Sequence, residues 1–123
     1  MSANPSIVMR QIKDVAVVTI QEAALLNTTT IDRLGESLFE LVDKKALKRI
    51  SLDFSRVKFL ASSALGMLLN LRKKATAIDG TVVICGIHPE LHKVFKITNL
   101  DKLFGFFDTE EEALHSFGVS TTG

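Results

Sequence analysis

Two adjacent serines, Ser62 and Ser63, stand between the stretch Leu52-Asp53-Phe54-Ser55-Arg56-Val57-Lys58-Phe59-Leu60-Ala61 and the apolar run Ala64-Leu65-Gly66-Met67-Leu68-Leu69. The first stretch begins as a buried strand, and the second reads as the start of a helix. A hydroxyl at a helix start can accept from backbone N–H groups that lack intrahelical partners. The same N–H groups and the helix dipole favour an anion. A serine here is therefore either a plain cap or a site whose phosphorylated form the backbone tolerates, and its local sequence leaves both open.

Other chemistry finds little support. The histidines are His88, His92 and His115, and the His88/His92 pair has no evident third ligand, so no metal site is expected. Ala61-Ser62-Ser63-Ala64 lacks the glycines of a nucleophile elbow. No glycine-rich phosphate loop of either common type follows a strand, so no nucleotide cofactor is expected. Glu110-Glu111-Glu112 suits the first turn of a helix, where carboxylates complement the dipole. The single cysteine, Cys85, lies in Val82-Val83-Ile84-Cys85-Gly86-Ile87 and reads as a core side chain. No catalytic residue is assigned, and the chain is expected not to be an enzyme.

Composition narrows the class further. A chain of 123 residues, 46% hydrophobic and 24% charged, suits one globular domain. A net charge of +1, with no Trp or Tyr, gives no footprint for nucleic acid. Met1-Ser2-Ala3-Asn4-Pro5 lacks a basic segment followed by an apolar signal core, and no apolar run reaches the length of a membrane span. The expectation is a cytoplasmic protein with no direct membrane insertion.

The elements that must position the serines follow from periodicity. Ile7–Ile12 and Val15–Ile20, joined by Lys13-Asp14, read as a hairpin. Asn27-Thr28-Thr29-Thr30 supplies candidate caps for a helix whose apolar stripe is Ile31, Leu34, Leu38, Leu41 and Val42. Ile50–Phe54 alternates as a strand, and a second helix, capped by Ser62-Ser63, continues through Leu65, Leu68, Leu69 and Ala75. Thr81–Gly86 is a strand covered on both faces, and Pro89 opens a third helix with Leu91, Val94, Phe95 and Ile97. Leu103–Phe107 is a last strand, and Thr109 with Glu112 forms a capping box for a last helix. Val119–Gly123 reads as a frayed tail. After the hairpin, strands and helices alternate, which predicts an α/β fold with a mostly parallel central sheet and about four helices.

The block around the serines resembles the pattern Asp-Leu-Ser-x-Val-x-x-Leu-Asp-Ser-Ser-Gly-Leu-Gly-x-Leu-Leu of the STAS family, the domain of bacterial anti-sigma-factor antagonists and of anion-transporter tails. Gly80–Glu90 and Val94–Phe104 resemble the corresponding later segments, so the likeness spans nearly the whole chain as a single STAS-like domain over 1–123. In the antagonist branch, the first serine is phosphorylated by an anti-sigma factor that is itself a serine kinase. That serine corresponds to Ser62, with Ser63 the weaker candidate. The resemblance implies a partner-binding face made of Asn27, Thr28, Thr29, Ala61, Ser62, Ser63, Ala64, Leu65 and Gly66. Ala61 stands where the pattern has Asp, Ala64 where it has Gly, and Asn27 at a position that is acidic in the family.

The function this implies is that of an anti-sigma-factor antagonist, possessing no cofactor of its own and possessing a kinase partner that carries ATP. The alternative implied by the same family is an accessory subunit of an ABC-type lipid-transport complex, with an ATPase subunit as partner. A further alternative is a scaffold subunit of a stress-signalling assembly in which phosphorylation plays no part.

Overall fold

The computed structural model of the protein describes residues 7–119. The Met1–Pro5 segment and the tail beyond Val119 lie outside the described residues. Strands β1 (Ile7–Ile12) and β2 (Val15–Ile20) form the antiparallel hairpin, in register from Ile7↔Ile20 to Ile12↔Val15. Its two-residue connection holds Lys13 at φ 55°, the left-handed conformation that matches a tight turn to the twist of its strands. A two-residue strand, β3 (Ala24–Leu25), precedes α1 (Thr28–Asp43). Strand β4 (Arg49–Asp53) leads through β5 (Phe59–Leu60) into α2 (Ser62–Ala77). Then come β6 (Thr81–Cys85), α3 (Pro89–Ile97), a 3-10 turn at Leu100–Lys102, β7 (Gly105–Phe107) and α4 (Glu110–Ser116).

The main sheet runs β1-β2-β4-β6-β7, and every pairing after the hairpin is parallel. Alternation along the strands sorts the two faces. Ala16, Val18, Ile20, Ile50, Leu52, Val82 and Ile84 join the main core with the apolar stripes of α1, α2 and α3. Val15 and Val17 turn the other way, against Leu114 and Val119, and Val83 and Cys85 pack on Ala113. Helix α4 therefore covers one face alone while three helices cover the other. This is the α/β architecture that the alternation of elements predicts, with four helices.

Three local expectations change. Leu103 is not in the final strand but follows the 3-10 turn, because its N–H bonds back to the Leu100 carbonyl at 3.0 Å. Val119 is buried rather than frayed, because it packs beside Val15, Val17 and Leu114. The Thr109 box is displaced by one residue. Thr109 Oγ1 accepts from the Glu112 N–H, but Glu112 reaches past Thr109 to accept from the Asp108 N–H at 3.0 Å. No helix of the described residues is long and apolar enough to cross a membrane.

Candidate partner-binding site

The connections that leave β2 and β4 are zipped together before either helix begins. In β3 and β5, Ala24 pairs with Phe59 and Leu25 with Leu60, in parallel. The N–H groups of Lys58 and Phe59 both donate to the Ala23 carbonyl, and the Ala61 N–H donates to Leu25 at 2.8 Å. These bonds bring the starts of α1 and α2 side by side at one end of the molecule. Below them the β4–β5 loop is anchored by Phe54 and Val57, each fully buried. The Phe54 N–H donates to the Cys85 carbonyl at 2.9 Å, and the Asp53 carboxylate accepts from the Ser55 N–H at 2.8 Å. His88, just before α3, donates from Nε2 to the Ser55 carbonyl at 2.9 Å.

The two helix starts differ. Asn27 is the cap of α1, and its Oδ1 accepts from the Thr30 N–H at 2.8 Å. Thr28 and Thr29 are therefore exposed first-turn residues, not caps. At α2 the capping position falls on Ala61, with φ −80° and ψ 158°, and no side chain caps the helix. Ser62 and Ser63, expected to cap it, are already inside its first turn. The reason is tertiary: the Ala61–Leu25 bond holds Ala61 extended, and its carbonyl already accepts from the Ala64 N–H at 2.9 Å. Ser62 is exposed, and its hydroxyl has no hydrogen-bond partner among the described residues.

Helical phase corrects two more expectations. Ala64 is fully buried and Leu65 is 6% exposed, so neither lines a contact face. They belong to the core stripe Ala64, Leu65, Leu68, Leu71 and Ala75, and this phase turns Ser62, Ser63 and Gly66 outward. Asn27, Thr28, Thr29, Ser62, Ser63 and Gly66 are thus exposed around the paired helix starts, with Ala61 half-buried between them. From Thr28 and Ser63 a shallow groove of about 680 Å³ runs between α1 and α2 over Gly35, Gly66 and Met67.

Two residues absent from the expected site join it. Leu26 and Phe59 are 57% and 58% exposed, although each adjoins a residue of the β3–β5 ladder that faces inward. The signal was present in the apolar runs Leu25-Leu26 and Phe59-Leu60, since in an extended chain neighbouring side chains point to opposite sides. His88 braces the loop, and His92 stacks on Phe106 with ring centroids 4.4 Å apart. Among the described residues no group of three or more His, Cys, Asp or Glu could hold a metal ion.

The family model of the STAS domain matches residues 6–113. An anti-sigma F factor antagonist of Paenibacillus polymyxa is 25% identical over 103 residues, covering 84% of this chain and 88% of that protein. The structure of an anti-sigma-factor antagonist (STAS) domain protein from Planctomyces limnophilus superposes with a TM-score of 0.79 at 22% identity, over 93% of this chain and 98% of that one. The Bacillus cell fate determinant SpoIIAA, solved in its phosphorylated form, gives a TM-score of 0.70 at 20% identity, over 90% of this chain and 98% of that one. With the family model spanning nearly all of the described residues, the chain belongs to the STAS domain family.

Proposed function

We propose that this protein is an anti-sigma-factor antagonist of the cytoplasm that binds an anti-sigma factor through the face around Ser62. The partner carries serine-kinase activity and ATP, and Ser62 is the phosphoacceptor; the chain catalyses nothing itself. The observation that carries the reading is the exposed Ser62 hydroxyl, engaged in no capping bond, beside the zipped starts of two helices. A hydroxyl used as a cap would have to give up that bond to reach a kinase. Ser62 has none to give up. In the transfer, its oxygen attacks the terminal phosphorus of the partner's ATP, ADP leaves, and the hydroxyl proton goes to a base on the kinase. The product carries a charge of about −1.5 to −2, at a helix start that tolerates an anion but in an interface that formed without one.

Complex formation tests this directly. Ser62→Asp is expected to weaken binding to the anti-sigma factor about tenfold or more, equivalent to ~1.4 kcal/mol, whereas Ser62→Ala leaves it intact. Equal affinity of the two variants, measured by calorimetry, would remove the phosphate-sensitive interface. A second reading is favoured by one observation: Ala61 puts no carboxylate beside Ser62. In that reading the same face meets an ATPase subunit of an ABC-type lipid-transport complex and Ser62 is never modified. Capture from the native lysate, followed by mass spectrometry, separates the two by the partner recovered.

A further inference from the structure

The main sheet ends in two edge strands of very different character. At one side β7 is only three residues long, Gly105–Phe107, and a strand that short offers little for another chain to pair with. At the other side β1 extends over six residues, Ile7–Ile12, and among the described residues nothing pairs with its outer edge. It contains no proline, lysine or bulge, and its register to β2 is unbroken from Ile7↔Ile20 to Ile12↔Val15. Its one charge, Arg10, is held at 2.6 Å by Glu110 of α4. Proline, free charge and bulges are the devices that normally keep a second strand off an exposed edge, and β1 has none of them.

The phase of the hairpin decides which backbone groups are on offer. Ile12 and Val15 flank a two-residue turn as its closing pair, which exchanges both N–H and C=O bonds, and the ladder alternates from there. Val8, Arg10 and Ile12 therefore direct their backbone groups to β2, while Ile7, Met9 and Gln11 direct theirs outward. A second copy, antiparallel about a twofold axis at Met9, matches this pattern with its own. Ile7 then faces Gln11 of the copy, Met9 faces Met9, and Gln11 faces Ile7, so each pair joins two outward residues and can exchange both bonds.

The side chains fit the same register. Val8 is 49% exposed, on the sheet face that carries Arg10 and α4, and in this pairing it lies opposite Arg10 of the copy. Because Glu110 holds the guanidinium, the apolar stem of that arginine is free to cover the valine. A register setting the two arginines directly opposite would need the Arg10 backbone, which β2 already occupies. On the other face, Ile7 and Met9 pack partly against the main core, so apolar surface continues across the seam.

We propose that β1 is a homodimer interface, at which two copies pair antiparallel and join their five-stranded sheets into one. The self-match of backbone phase and side chains about Met9 is what selects a second copy as the occupant. Ser62 lies beyond the end of the sheet at which β1 begins, and antiparallel pairing turns those ends apart. Both Ser62 faces thus stay open in the dimer, pointing to opposite ends. A seam of one strand per copy is at the small end of interfaces, so the dimer dissociates in the micromolar range.

Sedimentation equilibrium of the full chain, from about 10 µM to about 1 mM, tests this with three variants. Gln11→Pro removes an outward N–H and none that serves β2, so it should weaken association tenfold or more while the chain still folds. Val8→Lys sets like charges opposite each other and should also weaken it tenfold or more. Val8→Glu faces Arg10 of the copy and should associate as tightly as wild type or more so. If Gln11→Pro fails to fold, the opposite signs of the two Val8 variants decide. Wild type that stays monomeric throughout overturns the proposal, as does association that survives Gln11→Pro. Equal weakening by Val8→Lys and Val8→Glu overturns it too, since that marks an apolar contact without strand register.

Discussion

At the scale of single residues, the two helix starts make opposite predictions for stability. Asn27 bonds the Thr30 N–H, so Asn27→Ala should cost about 1 kcal/mol. Ser62 bonds nothing, so Ser62→Ala should change stability by less than about 0.5 kcal/mol. Ala61 occupies an uncapped position, so Ala61→Asp should stabilise the protein by roughly 0.5–1 kcal/mol through a new cap and a favourable charge at the dipole. Urea denaturation of the three variants checks all three signs. A loss of 1 kcal/mol in Ser62→Ala would mean that the hydroxyl caps α2 after all. The absent cap thus separates the duties of Ala61 and Ser62: backbone geometry is held at the first, and a free hydroxyl is presented at the second.

At the scale of elements, the β4–β5 loop is what holds Ser62 in place. It has no regular structure between Phe54 and Lys58, yet it is pinned by two fully buried side chains and by bonds to β6 and His88. Phe54 also meets Phe95 edge-on, with ring centroids 6.5 Å apart. Phe54→Ala should therefore cost about 3–5 kcal/mol. Amide exchange should then rise in the ladder at Lys58, Phe59 and Ala61 more than in β2. A variant that lost stability uniformly, with no preferential opening of these amides, would show that the ladder stands without the loop. The placement of both helix starts depends on this short β3–β5 pairing, which periodicity could not reveal because each strand has only two residues.

At the scale of the whole molecule, the sheet is covered unequally, and α4 closes its second face. Arg49 fastens the end of that helix: it donates to the Phe117 carbonyl at 3.0 Å, pairs with Asp14 at 3.2 Å and lies over the Phe117 ring. Cys85 is buried between the sheet and α4, and burial pushes its thiol up to about 11 from an ordinary 9.0, with the nearby Ser51 hydroxyl pulling the other way. The neutral thiol is the form that folding favours. Its contribution to stability is therefore fully present below the unfolded value of 9.0 and is lost as pH rises through about 11. The loss amounts to roughly 2–3 kcal/mol, and Cys85→Ala should flatten that alkaline slope. Below pH 9 a thiol reagent should label Cys85 only at the rate of global unfolding. Rapid labelling of the native protein would show that α4 opens by itself.

The order of elements was legible from the chain because it depends on local patterning. The β-branched run Val15–Ile20, the stripe Ile31–Val42 and the turn at Asp79-Gly80 each carry their period or turn signal within a few residues. The Ser62 block was legible as a motif for the same reason. What the chain could not disclose is which residue begins α2 and that Leu26 and Phe59 stay outside. Those were decided by hydrogen bonds between segments more than thirty residues apart, from Ala61 to Leu25 and from Lys58 to Ala23. A pairing of that kind sets which residue begins a helix, so Ala61 takes the capping position and both serines fall inside the first turn of α2. Packing of the α2 stripe on the core buries Ala64 and Leu65 and leaves the Ser62 hydroxyl in solvent.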